Sequence, residues 1–286
     1  MPAVSVNHYE NFPVASRLCP ARIRPAVVAI YRFARTADDM VDEGDADAPT
    51  RLADLARFRA SLELARRGDS TPAQWPEVFG PLKAAIAAFQ LPLGLLSDLL
   101  SAFEQDVRKS AYADRVELLD YCTRSANPVG RLMMHLYGIR DSEALQQSDA
   151  ICTALQLANF WQDLGVDLQR GRRYVPQSDC NRLGLDPPTD WALEDVAGTR
   201  ALVMELTAWT RSIMQRGEPL VHRVRGRAGL ELRLVVQGGL RILDKIENLG
   251  GATIARRPTL SAADVPVMTW RALTMRPAWQ TVVRES

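Results

Sequence analysis

Three observations predict an all-α fold. Apolar residues recur every three or four positions through most of the 286 residues, no stretch keeps a period-two alternation, and proline and glycine interrupt the pattern at helix-length intervals. There is no internal repeat, no low-complexity segment and no shift in composition that would mark a boundary. One helical bundle around a central cavity, spanning 1-286, is therefore expected. A domain of this length buries roughly 75% of its unfolded surface, so core size is not limiting.

Residues 7–20, NHYENFPVASRLCP, read as a short helix or ordered lead-in closed by Pro20. From Arg22 onward, Ile23, Val27, Ile30, Tyr31, Ala34, Ala37 and Val41 share one face of a long helix, with Pro25 in its first turn and Gly44 after its end. Leu52, Leu55, Phe58, Leu62 and Leu64 make the buried side of a second helix, Arg51 to Arg67, and GDSTPAQWP at 68–76 is the first clear loop. Helical patterns resume at Glu77–Phe89, Leu95–Val107 and Val116–Leu136. The last contains SANPVG, where Pro128 and Gly130 should break it, either for close helix packing or to leave room for a ligand chain. Glu143 to Leu168 reads as one long helix. Residues 171–190 form the longest irregular stretch, placed to act as a lid or to supply cations. Helices at Ala192–Gly217, Pro219–Leu249 and Ala262–Thr274 complete the chain.

Lys+Arg total 35 against 34 Asp+Glu, a net charge of +1 that offers no footprint for nucleic acid. Cys19, Cys122, Cys152 and Cys180 are widely spaced, which argues against a disulfide framework or a zinc site. The first residues lack the basic and apolar regions of a signal peptide, and no run of 18 apolar residues occurs. A cytoplasmic protein is expected, with peripheral contact to the inner membrane left open.

Two acidic stripes stand out. In YRFARTADDMVDEGD, Asp38, Asp39 and Asp42 crowd adjoining faces of a helix, and in LQLANFWQDLGVD, Asn159, Asp163 and Asp167 form an i, i+4, i+8 ladder extended by Gln156. Both lie among apolar residues, where uncompensated carboxylates would cost several kcal/mol each. Hard cations such as Mg2+ take carboxylate, water and phosphate oxygens, so two such faces pointing into one cavity suit a metal-bridged diphosphate. The alternative is a solvated acidic surface on a non-catalytic helical scaffold. Arg35, one turn before Asp38, either pairs with those acids or reaches a diphosphate. Arg172, Arg173 and Tyr174 allow the same two readings. Phe12, Tyr31, Tyr121, Phe160 and Trp161 are core residues or line a cavity whose aromatic faces steady a cation.

Together with NFPVASRLCP and YCTRSANPVGRL, these motifs resemble the head-to-head isoprenyl diphosphate synthases, the squalene and phytoene synthase family. ENFPVAS, SANPVGR and NFWQDL are most similar to its bacterial hydroxysqualene-forming members, on the route to squalene and hopanoids. The resemblance implies an isoprenoid synthase fold, a prenyl diphosphate substrate, and Mg2+ held by Asp38, Asp42, Asn159, Asp163 and Asp167 with Asp39 beside them. It also implies diphosphate contact by Arg35, cavity roles for Tyr121 and Gln156, and an aromatic near substrate at Phe12. By the same resemblance the partners would be a presqualene diphosphate synthase upstream and a flavin-dependent reductase downstream.

Two departures are visible. The family commonly carries arginine just before the second motif's first aspartate, where this chain has Gln162, and Asn127-Pro128 replaces its usual small residues. Loss of a cation and gain of amides there lead us to expect the half-reaction that starts from presqualene diphosphate and ends in water capture, with Gln162, Asn127 or Gln156 holding the water.

Overall fold

The computed structural model describes residues 18–68, 74–185 and 196–275. Within them the chain forms thirteen α-helices and one 3-10 turn. The only pairing of β type among the described residues is an isolated bridge between Ala111 and Arg173.

The helices begin where their capping chemistry places them. In α1 (Arg24–Asp42) a proline occupies the first turn. Asp47, Asp114 and Asp141 each accept a backbone N–H at the starts of α2 (Ala48–Arg67), α5 (Arg115–Ser125) and α7 (Ser142–Gln162). Helix α2 closes on Gly68 in the left-handed conformation, and α3 (Pro76–Phe89) and α4 (Leu93–Arg108) follow.

Three expected helices are divided. The Val116–Leu136 pattern is broken at Ala126, after which α6 (Asn127–Leu136) starts afresh with Pro128 in its first turn. A Cβ on Gly130 would lie 2.5 Å from both Ser148 Oγ and Cys152 Sγ, so this glycine lets α6 press against α7. The helix expected to run unbroken to Leu168 stops at Gln162 and resumes as α8 (Leu164–Gln169), Asp163 having left helical geometry. Beyond it, α9 (Gln177–Arg182) interrupts the stretch expected to be irregular. Residues 173–178 are strapped down by Arg173 N–H donating to Ser110 O at 2.7 Å and Gln177 N–H to Tyr112 O at 2.9 Å. That part of the loop is a fixed strap and not a free lid. After α10 (Ala197–Gly217), the last long pattern splits at Val224-Arg225 into α11 (Leu220–Arg223) and α12 (Gly226–Asn248), and α13 (Val265–Thr274) ends the described chain.

Two apolar cores result. One is built from α1 to α4, with Phe33, Phe58 and Phe79 in mutual ring contact, joined by Leu132 and Leu136 of α6. The other gathers α5, α7, α10 and α12 around the fully buried Trp161, whose indole N–H donates to Thr210 at 2.7 Å. Met133 and Tyr137 pack against both. Between the cores lies a cavity of about 490 Å³ lined by α1, α4, α6, α7, α11 and α12.

Candidate active site

The cavity is apolar along most of its length, with Val27, Ile30, Phe103, Met133, Ile151 and Leu155 among its walls. At one end Tyr31, Arg35 and Asp38 of α1 face into it. Arg35 donates to Asp38 at 3.0 Å and sits 2.6 Å from Asp39, the i+3 and i+4 reach that a helix allows. Arg35 therefore pairs with the acids and faces the cavity at once.

The C-terminal turn of α1 is held by a residue the motif reading did not select. The guanidinium of Arg51, on α2, donates to the carbonyls of Met40 and Ala46 at 2.9 Å, Glu43 at 3.1 Å and Gly44 at 2.7 Å, and also to Val41. These include carbonyls left unpaired where α1 ends, and the cation also offsets the negative helix terminus. Asp38, Asp39 and Asp42 thus ride on a tethered turn.

The two stripes converge through the strap after α8. Arg172 forks onto the carboxylate of Asp42, with one nitrogen at 3.2 Å, and Arg170 lies 3.6 Å from it. The main chain of Arg173 is fixed by the bridge to residues 110–111. Asp167 is pushed up to about 7 by burial and by Asp163, against the pull of Arg172 and Arg170, and Asp42 adds to the push. Asp38 is pushed up to about 6 by burial and by Asp42, with Arg35 opposing. Carboxyls from α1 and α8 therefore share one field although more than a hundred residues separate them.

A third acid belongs to the group. Asp106, on α4, accepts the Tyr121 hydroxyl at 2.8 Å and is raised to about 7 by burial, opposed by that hydrogen bond and by Arg172. No stripe flagged it, since it lies outside both acidic motifs and its partner is on another helix. Tyr121 itself is buried in an aromatic stack with Tyr112, Tyr174 and Phe160, the last two parallel at 3.7 Å. Burial and Asp106 keep the Tyr121 hydroxyl protonated.

Around Asp163 the helix break admits a distant segment. A Cβ on Gly165 would sit 2.3 Å from Ile254 O, so only glycine allows this approach. The same segment brings Arg257 onto the Asp163 carboxylate, at 3.1 Å for one pair, and Pro258 O onto the side-chain amide of Gln162 at 2.7 Å. This corrects two expectations. Gln162 is buried and anchors the chain rather than holding a water, and the cation expected to be missing beside the second motif is supplied by Arg257.

Asn127 is likewise a structural group: it is buried and accepts from Thr153 at 2.9 Å without lining the cavity. Gln156 is half-buried and is likewise not among the residues that line the cavity. Asn159 is exposed, and its main-chain carbonyl accepts the Asp163 N–H at 2.8 Å where α7 ends. The polar groups that do line the cavity beyond Asp38 include Ser148, Tyr137 and Glu231. Phe12 lies outside the described residues. Among the described residues no three His, Cys, Asp or Glu side chains gather closely enough to hold a metal by themselves.

Comparison with known proteins agrees with this architecture. The family model for squalene/phytoene synthase matches residues 6–264. A hydroxysqualene synthase of Rhodopseudomonas palustris is 34% identical over 240 residues, 83% of this chain and 80% of that one. A phytoene synthase of Thermus thermophilus is 30% identical over 256 residues, 89% and 85% of the two chains. Among solved structures, squalene synthase HpnC from Alicyclobacillus acidocaldarius superposes with a TM-score of 0.77 at 36% identity, covering 85% of this chain and 90% of that one.

Proposed function

For a chain that belongs to the squalene/phytoene synthase family, we propose the conversion of presqualene diphosphate into hydroxysqualene and diphosphate, with Mg2+ as cofactor. The observation that carries the reading is the polarity of the cavity, charged at Arg35 and Asp38 and mostly apolar beyond, with Glu231 the one further charged residue on its wall among the described residues, which matches a diphosphate head on an isoprenoid tail. The similarity to named hydroxysqualene synthases supports this member of the family over others.

The donor set fits a hard cation shared with a ligand. Asp38, Asp39, Asp42, Asp106, Asp163 and Asp167 face the guanidiniums of Arg35, Arg170, Arg172 and Arg257, leaving carboxylate in excess, and three of these acids are pushed toward neutrality by burial, with neighbouring carboxylates adding to it. Mg2+ typically keeps waters and phosphate oxygens beside one or two carboxylates, which suits acids spread over two helices better than an all-protein cage would. Asp38, Asp42, Asp163 and Asp167 are the residues that would hold it, and when bound it would supply Lewis-acid assistance to the departure of diphosphate.

The remaining work falls to the chain. Arg35 and Arg172 orient the diphosphate and accept the developing charge as the carbon–oxygen bond breaks, its electron pair leaving with the diphosphate. The apolar walls exclude bulk water from the cation that remains, and its rearrangement proceeds along the cavity. One water is then captured by carbon. Ser148, Tyr137 and Glu231 are the cavity groups able to hold that water, and Glu231 is the carboxylate able to take its proton. A presqualene diphosphate synthase upstream and a flavin-dependent reductase of the alcohol downstream are the partners this chemistry calls for.

The test is to incubate purified protein and Mg2+ with presqualene diphosphate, and separately with farnesyl or geranylgeranyl diphosphate, and to identify the lipid formed. Hydroxysqualene from the first alone is the expected result. A condensed product from farnesyl diphosphate would assign presqualene diphosphate or squalene synthesis, and one from geranylgeranyl diphosphate would assign phytoene synthesis. No magnesium-dependent diphosphate release would leave the helical scaffold.

A further inference from the structure

The cavity continues past its apolar walls. Cys19, Tyr137, Val224 and Ala228 line it at the end remote from Asp38, and the same four residues line a second, more open hollow of about 610 Å³. The rim of that hollow is basic: Arg24, Arg223, Arg225 and Arg227 surround it. Arg223 is occupied by Asp141 and Glu143, at 2.6 and 3.0 Å, but Arg225 and Arg227 are exposed and form no ion pair among the described residues. Gly226, at φ +67, turns the chain between these two arginines at the start of α12. That helix begins without a side-chain cap and without an acid in its first turn, so its positive terminus adds to the same patch.

Water is a poor neighbour for the apolar end of such a cavity, and a cationic rim is suited to phosphate. We propose that this rim docks the protein on a bilayer carrying anionic phospholipid, with the apolar end of the cavity opening toward the lipid. An uncharged isoprenoid product passes there without crossing water, while the diphosphate leaves at the acidic end. The product's polarity rests on the function proposed above, whereas the docking itself rests on the rim. Membrane contact through surface cations alone is reversible and weakens as salt screens it.

Flotation with vesicles, without substrate, tests the docking. The wild-type chain is expected on phosphatidylcholine vesicles that contain phosphatidylglycerol, not on phosphatidylcholine alone, and to be released by sodium chloride. Arg225→Gln/Arg227→Gln should weaken partitioning about thirty-fold, from about five-fold per cation removed. Arg66→Gln/Arg67→Gln, at the far end of α2, should leave it unchanged. In detergent the rim variant should turn over substrate at the wild-type rate, showing that it is folded.

Equal binding to both vesicle types overturns the proposal, as does wild-type partitioning of the rim variant. Release by inorganic phosphate beyond that of chloride at equal ionic strength would do so too, by assigning the rim to a soluble anion. Since flotation needs no turnover, a chain that makes hydroxysqualene but ignores anionic vesicles refutes this inference alone. One that floats but does not convert presqualene diphosphate refutes only the activity.

Discussion

The two acidic motifs serve one site but are built in opposite ways. Asp38, Asp39 and Asp42 lie on an unbroken helix whose cation, Arg35, comes from the same face one turn earlier. Asp163 and Asp167 lie across a break, and the cation on Asp163 comes from Arg257, far along the chain. A local motif is positioned by helical periodicity and needs only an anchored end, which Arg51 supplies. A motif at a break is positioned by whatever enters the break, here residues 254–258. The first should therefore tolerate loss of distant contacts, and the second should not.

The largest effect is expected where the halves act together. On the proposed function, Asp38→Asn or Asp163→Asn should each lower kcat/KM about a thousand-fold, since each removes a charge assigned there to the cation and through it to the diphosphate. Asp38→Asn should at the same time raise the melting temperature of the metal-free protein, because it removes a carboxylate whose ionised form is disfavoured. A variant that loses stability together with activity would argue for a structural role instead. Next in size is Gly165→Ala, whose Cβ cannot fit against Ile254 O without a backbone shift. It should cost about 1–3 kcal/mol in denaturant unfolding and lower activity by one to two orders of magnitude. Gly94→Ala, with nothing near its Cβ, is the control and should be neutral or better.

Arg51→Met sharpens the contrast from the other side. It leaves the carbonyls at the end of α1 unpaired, so about 1–3 kcal/mol of stability should be lost and the Mg2+ concentration for half-maximal activity should rise about ten-fold. Gln162→Met should cost about 1–3 kcal/mol by orphaning Pro258 O, yet leave the product unchanged, because the amide does not line the cavity. A shift in product composition would restore it as a catalytic group.

The smallest effect is the pH dependence of the metal-free fold. The folded-state values of Asp38, Asp106 and Asp167, about 6, 7 and 7, stand above the ordinary carboxylate value of 3.8. The native state then binds more protons than the unfolded one, and these groups' stabilisation is full below about pH 4 and lost as pH rises through about 7. Melting curves between those limits should fall with pH in the presence of chelator. Mg2+ with diphosphate should flatten that fall by favouring the ionised acids.

Much of this site was legible because it is periodic. The Asp38–Asp42 turn, Arg35 and the all-α architecture all follow from residues within a few turns of one another. The break at Ala126 was also readable, and Gly130 packs α6 on α7 while also lining the cavity. Asp106, Arg51 and Arg257 were not readable, since each is an isolated charge whose partner lies on another element. Gln162 and Asn127 misled for the converse reason. Their amide chemistry suits a water, but their partners, Pro258 O and Thr153, are known only after folding.

By itself the sequence determined the helical class, the membership of both acidic stripes and the direction of charge each demanded, because period and spacing are local properties of a chain. Only the tertiary structure decided that the second stripe is bent at Asp163, that Arg172 rather than Arg173 meets Asp42, and which polar side chains reach the cavity. Those outcomes depend on which distant backbone occupies the space beside Gly165, and packing between segments is set by the whole fold.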